Sequence, residues 1–513
     1  MKKSTYFITG FALLAVSVIF LINNYESNEN NVSKTTLEPK KSVDLTGTPA
    51  DNHPPNEREQ HCGSSDAKSN QYVQEFEIPT PCTQPLSITV DSDGKIWFTQ
   101  TNTGNLAVFD SVSKNFTEYK NEKWDLKQTS MIWGIFYTQD DEVWFADEAY
   151  GALWKFSIPE KTYSKFSFTE NNDKIFPQKI EYYDDHFLIN DFTGNQIIIV
   201  NHNDLDANKT SYSTIKVPEG FFTSQVAVDD DNLWFVMWKY QKEAILVKTN
   251  FVTQKSEKFS LPSSILAPNG VSIGPLGNIW IADTGSSSFY KFDSKNLQTT
   301  EYVTSDPPVW TYGNSSGLIK TPITRPYWNL FDSEGNMWFN EHAANRLAVF
   351  DPKTESLLEY DIPSKNSKWA DCGDLSDCGI SQTFGFVNQD NKIWFTSWVE
   401  NNIGVLDAFV TIPISLDVEQ DEIQIKQGEQ KEIRVIVMSQ TNQKTDLMLY
   451  GNTSSKFIKI KTESAPTLLL DNTEYVPVTI SVDEDTPLGY YKILIGTQLS
   501  DVSVSSYATI KVV

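Results

Sequence analysis

Three observations predict an all-β molecule: a seven-bladed β-propeller followed by an immunoglobulin-like β-sandwich, with one apolar helix at the N-terminus. Aromatic residues make up 13% of the chain, including 14 Trp. They lie among β-branched residues and Asn/Asp/Gly turns, with no long stripe of 3.6-residue period. A Trp-Phe motif recurs at intervals of roughly 50 residues. A segment ahead of the first copy resembles the strand that the last copy lacks. The 513 residues suffice for about three domains. A net charge of −25 repels phosphate backbones, so no nucleic-acid partner is expected.

At the N-terminus, Lys2 and Lys3 precede an uncharged apolar run from Tyr6 to Ile22. Residues 1–22 are read as a signal anchor or signal peptide. The run is longer than a signal core of about 7–15 residues and shorter than a span of about 20, which leaves cleavage and anchoring both open. Lysines before the run place the rest on the extracytoplasmic face of the cell membrane, held by a single anchor, or secreted after cleavage. Residues 23–70 are polar, poor in large apolar groups, and expected to be a disordered tether. Outside the cytoplasm, Cys62, Cys82, Cys372 and Cys378 are candidates for two disulfides. Cys372 with Cys378 would close a small loop and leave Cys62 for Cys82; four free thiols are the alternative.

Residues 71–408 carry the repeat. Its key positions are Trp97, Trp144, Leu188 in a degenerate copy, Trp234, Trp280, Trp338 and Trp394. Each unit reads as four short strands, too little to bury both faces of a sheet unless the sheets stack round an axis. The last unit lacks a fourth strand, and Val73-Gln74-Glu75-Phe76-Glu77 has no unit of its own. It is therefore expected to complete the last blade and remove an exposed edge. After Asp407 the motif stops, and residues 409–513 alternate as a sandwich of immunoglobulin-like type, a spacer or a contact for a cell-surface protein partner.

Equivalent positions of a ring converge on its axis, so two sets of residues are candidates. Three residues after each key position stand Gln100, Asp147, Asp191, Met237, Asp283, Glu341 and Ser397. A shared acidic funnel there would suit Mg²⁺ or Ca²⁺, with Asp283 and Glu341 as the metal ligands; capping of loops is the alternative. About ten residues before the key positions stand Leu86, Trp133, Gln178, Gln225, Asn269, Tyr327 and Phe384. Trp133, Tyr327 and Phe384, with Trp310 and Trp328 nearby, would make an aromatic floor for a carbohydrate or another small planar ligand. His342 is a candidate base, although strand alternation aims it away from the channel if Glu341 points in. Glu341, His342 and Tyr327 are the catalytic candidates.

Gly335-Asn336-Met337-Trp338-Phe339-Asn340-Glu341-His342-Ala343-Ala344-Asn345-Arg346-Leu347, closing at Glu359-Tyr360-Asp361-Ile362-Pro363, resembles the repeats of the streptogramin (virginiamycin B) lyase family. The resemblance implies a seven-bladed propeller. It also implies a carbon-oxygen lyase that opens a cyclic ester by elimination, with magnesium on acidic groups and a histidine base in a Pro-His turn. The turns matching that pattern here are Pro85-Leu86, Pro177-Gln178, Pro268-Asn269-Gly270 and Pro326-Tyr327-Trp328, and none has His. The readings carried forward are a ligand- or cation-binding propeller, a metal-dependent lyase or lactonase, and a structural or adhesive surface protein.

Overall fold

The computed structural model describes residues 62–513 apart from 64–66, 126–129, 169–174, 193, 207–210, 313–322, 368–371, 373, 374, 376, 442–446 and 463–472. The apolar segment expected at 1–22 and most of the tether lie outside the described residues. Among the described residues no helix is long and apolar enough to cross a membrane.

The Trp-Phe repeat builds antiparallel sheets in chain order. The first runs Pro85–Val90, Ile96–Gln100, Asn105–Asp110 and Asn115–Tyr119, and the sixth runs Pro326–Phe331, Met337–Glu341, Arg346–Asp351 and Ser356–Asp361. In the fourth sheet the innermost strand is split into Phe222–Thr223 and Ala227–Asp229. The turn before the key Trp explains the recurring Asp-x-x-Gly sequence. Asp91 accepts the backbone N–H of Lys95 at 2.9 Å and the indole N–H of Trp97 at 2.8 Å, and Asp332 repeats this with Asn336 at 2.8 Å and Trp338 at 2.9 Å. One carboxylate thus closes the turn and satisfies a buried indole that would otherwise lack a partner.

The last of these sheets takes its fourth strand from the start of the described chain. Thr383–Gln389, Lys392–Ser397 and Asn402–Asp407 are joined by Val73–Glu77, paired antiparallel from Val73 opposite Leu406 to Glu77 opposite Asn402. The tether ends earlier than expected. Cys62 is bonded to Cys82, Gly63 donates to the Val399 carbonyl at 2.6 Å, and Lys68 donates to Glu75 at 3.1 Å. Residues expected to be free are therefore fixed against the closing sheet. Cys372 is bonded to Cys378.

Residues 414–512 form two layers sharing one apolar core. Ile433, Val435 and Val437 with Val476, Val478, Ile480 and Val482 point inward from one layer, as strict alternation requires. The other layer is not separate from the ring. Val502–Val512 pairs with Gly489–Gln498 on one side; on the other it pairs with Ser356–Asp361, the outer strand of the sixth sheet, and then with Glu422–Ile425. The boundary expected at 408 is thus crossed by a continuous sheet. The join is tied by Tyr507, whose hydroxyl donates to the Val303 carbonyl at 2.5 Å, and by the Lys492–Glu355 ion pair. Arg346 is 1% exposed and donates to Asp361 (2.8 Å), Ser305 (2.6 Å) and Gln498 (2.7 Å), with Glu359 at 3.8 Å.

Candidate functional site

The mouth of the channel is built by a device repeated round the ring. Four inner strands start with the same irregularity, between Pro85 and Ile88, Pro177 and Ile180, Pro326 and Asn329, and Thr383 and Phe386. The loosened backbone N–H is accepted by a side chain two residues after the key position: Thr99, Asn190, Asn340 or Thr396. The same side chain donates to a carbonyl of the next sheet, to Ile132 (3.2 Å), Thr223 (3.4 Å), Thr383 (2.7 Å) and Leu86 (2.9 Å) respectively. The last of these joins the seventh sheet to the first. Where glycine follows the mouth residue, inner strands approach closely: a Cβ on Gly134 would meet the Gln178 carbonyl oxygen at 2.1 Å, and one on Gly385 the Leu86 oxygen at 2.3 Å.

Within the second candidate set the aromatic members lie together. Trp133 of the second sheet lies 5.8 Å from Tyr327 and 6.5 Å from Trp328 of the sixth, and 5.3 Å from Phe384 of the seventh, between ring centroids. Leu86 joins the same apolar cluster. Gln178 donates to Glu148 at 2.9 Å, and the Gln225 N–H donates to the Asn269 carbonyl at 2.9 Å. These rings cross the axis and form a floor. Trp310 is not part of it: it sits in the short helix Val309–Tyr312 and is exposed.

The first candidate set turns into the sheets instead. Gln100 donates to Glu118 at 2.7 Å within its own sheet. Asp147 accepts the indole N–H groups of Trp124 and Trp154, both at 3.0 Å, together with the Ser130 hydroxyl. Asp191 accepts Phe176 N–H (2.8 Å), Gly194 N–H (3.0 Å) and Gln196 (2.8 Å). Asp283 accepts Leu266, Ala267 and Gly285 N–H groups and the Ser286 hydroxyl, between 2.6 and 3.1 Å. Met237 packs in the apolar core, and the Ser397 hydroxyl donates to Glu75 at 3.4 Å. Donors fill the positions a metal would need, so these aspartates cap loops. Glu341 is fully buried beside Glu359 and Arg346, and burial with the neighbouring carboxyl pushes its pKa well up. Asp283 and Glu341 therefore do not fit a shared divalent cation. Among the described residues no group of three or more His, Cys, Asp or Glu side chains could hold a metal ion.

Strand alternation holds, and it is the next residue that faces the mouth. Glu148, Thr284, His342 and Trp398 each stand four residues after a key Trp. His342 is half-buried, with its ring 5.4 Å from Tyr327 and 5.0 Å from Phe384, and Phe384 is 5.7 Å from Trp398. Its Nε2 lies 3.3 Å from the Thr284 hydroxyl, and among the described residues its Nδ1 has no hydrogen-bond partner. Enclosure and the Arg325 guanidinium push the imidazole pKa down to about 3, so the ring is neutral at pH 7. Burial pushes the Glu148 carboxyl up to about 8, against the Gln178 and Trp133 hydrogen bonds that lower it. A protonated carboxyl and a neutral imidazole thus border one aromatic floor. Arg325 donates to the Thr284 carbonyl at 3.1 Å behind His342. Glu148, Thr284, Arg325 and Trp398 escaped the sequence reading. The signal was available in alternation: if the strand's last residue caps the sheet, the next one faces the axis.

Fold and site together define an all-β, propeller-like protein whose channel mouth is floored by aromatic rings and edged by an acid and an imidazole. The virginiamycin B lyase family model matches residues 71–372, more than half the chain, and the protein belongs to that family. The solved virginiamycin B lyase of Staphylococcus aureus is 18% identical, with 66% of this chain and 99% of that one covered and a TM-score of 0.51. A catalytically inactive His-to-Ala variant of that enzyme, solved with quinupristin, matches with the same coverage, identity and score. A streptogramin B lyase structure is 19% identical over 65% of this chain and 97% of that one, with a TM-score of 0.50. At these identities the likeness is one of fold. No curated protein matches the chain.

Proposed function

We propose that the protein is an extracytoplasmic seven-bladed propeller that captures a small, partly planar ligand on the floor made by Trp133, Tyr327 and Phe384. In this reading residues 1–22 anchor the chain and residues 409–513 are an immunoglobulin-like module that stiffens the sixth blade. Two disulfides support an oxidising compartment. The observation that carries the binding role is the meeting of rings from three separate sheets beside Glu148, Gln178 and His342. Rings supply stacking area, and a few polar groups at the edge supply orientation. The test is calorimetry of the full chain with quinupristin and with neutral oligosaccharides. One of these is expected to bind saturably, with Trp133→Phe weakening it by about tenfold, or ~1.4 kcal/mol. Equal affinity in parent and variant would refute the site. Glu148 keeps its proton to about pH 8, so Mg²⁺ or Ca²⁺ titrated alone at pH 7 is expected to give little heat.

The lyase reading stands second, favoured by one observation: the neutral His342 ring has an Nδ1 without a partner among the described residues, at the same mouth as the protonated Glu148. His342 would take the proton and Glu148 would supply one to the departing carboxylate oxygen. A base held near 3 is a weak one at neutral pH. Incubation with quinupristin distinguishes the outcomes by mass: elimination opens the ring with mass unchanged, whereas hydrolysis adds one water. An opened product of unchanged mass that is lost in His342→Ala would support this reading, and an intact substrate would refute it.

A further inference from the structure

One lysine of the channel is used neither by the mouth nor by the fold's ion pairs. Lys179 follows Gln178 on the inner strand Pro177–Tyr183 of the third sheet. Its Nζ lies 4.9 Å from the ring centroid of Trp328 in the sixth sheet, three places round the ring, so the side chain reaches across the channel. The residue is half-buried, and among the described residues its ammonium makes no hydrogen bond or ion pair. Glu181, two residues further along the strand, is the charged neighbour that acts on it. Burial lowers the Lys179 pKa to about 8 and raises that of Glu181 to about 7, each shift being opposed by the other group's charge. Some lysines elsewhere are held to carboxylates, as Lys155 is to Glu142 at 2.9 Å and Lys365 to Asp377 at 3.0 Å, and others lie over a ring of their own sheet, as Lys248 does over Trp234.

We propose that Lys179 is a carbonyl-capturing lysine, whose free amine forms an imine with a small aromatic aldehyde in the channel while Glu181 moves the proton. The amine lone pair attacks the carbonyl carbon, and one proton passes from the nitrogen to the oxygen to give a neutral carbinolamine. Glu181 then protonates the hydroxyl, which leaves as water while the nitrogen lone pair forms the C=N bond. The atoms and charges balance as amine, aldehyde and the Glu181 carboxylic acid giving iminium, carboxylate and water, with no change of oxidation state. The resulting iminium carries its positive charge over the Trp328 face, where the ring quadrupole stabilises it.

The test uses the full chain at pH 7 with limiting benzaldehyde and sodium cyanoborohydride, which reduces any imine to a stable benzylamine, followed by peptide mapping. At that pH a lysine near 8 has roughly a hundredfold more free amine than an ordinary one near 10.4. The adduct is therefore expected at Lys179 in tenfold or greater excess over the exposed Lys120 and Lys426. Adducts spread over exposed lysines, with Lys179 no richer than they are, would overturn the proposal. Because this readout needs only the parent protein, it does not depend on a variant folding. Lys179→Arg keeps the cation over Trp328 and is expected to remove the adduct. Glu181→Gln is expected to slow labelling at 179 while leaving that at Lys120 unchanged; an unchanged rate at 179 would remove Glu181 from the mechanism.

Discussion

Arg346 offers the sharpest test of how the ring and the C-terminal layers are joined. Its guanidinium is buried and bound to Asp361, Ser305 and Gln498 at 2.6–2.8 Å, with Glu359 at 3.8 Å and Glu341 opposite it across the hairpin. Arg346→Met keeps most of the aliphatic stem and removes the cation that, among the described residues, is paired with these carboxyl groups. Breaking a buried pair on one side costs about 3–5 kcal/mol, because the remaining charges stay desolvated. That is a large part of a typical stability of about 5–15 kcal/mol. The cost depends on pH. At pH 8 Glu341 loses the guanidinium that favours its charged form, whereas at pH 5 its carboxyl, already held well up by burial and by Glu359, keeps its proton and needs no counter-charge, leaving mainly lost hydrogen bonds of about 1 kcal/mol each. Urea unfolding followed by tryptophan fluorescence at both pH values measures the difference. A cost below about 1 kcal/mol at pH 8, or the same cost at both, would refute the buried-charge description.

Other outcomes follow from the same contacts. Burial holds Glu75 at about 7, Glu148 at about 8, Glu181 at about 7 and Asp191 at about 6, all above their unfolded values. Their contribution is full below about pH 4 and is lost as pH rises through about 6–8, so a pH series of melting temperatures should fall across that range. Glu75→Gln should flatten the fall by up to about 3 kcal/mol, and an unchanged slope would clear Glu75. Gly134→Ala drives a methyl into the Gln178 carbonyl oxygen and should destabilise by about 1–3 kcal/mol in the same assay. Opening the Cys62–Cys82 bond, which spans 20 residues, should cost about 3 kcal/mol by the chain-entropy relation, read as a lower urea midpoint in Cys62→Ser.

Much of this arrangement could be read from the residues. The closing strand Val73–Glu77, the ring order and the convergence of Trp133, Tyr327 and Phe384 all follow from periodicity, because equivalent positions of a closed ring must meet. The acidic set misled for a local reason. Asp147, Asp191 and Asp283 stand at strand ends, where backbone N–H groups and indoles are closer partners than anything in the channel. Alternation then hands the mouth to Glu148, Thr284 and His342, residues of unlike type that no composition signal groups together. The pairing of Ser356–Asp361 with Val502–Val512 was also invisible. Which free edge meets which strand is decided by tertiary placement, and either strand alone reads as an ordinary alternating segment.

The enclosed mouth is tested most directly at His342, one of five histidines in the chain and identifiable by its loss in His342→Gln. A proton-exchange titration by NMR should find its imidazole neutral from pH 8 down to about pH 4, consistent with a pKa near 3, and perturbed when a mouth ligand is added. An ordinary midpoint close to 6.5, insensitive to that ligand, would put the ring in open water and contradict the placement of the site.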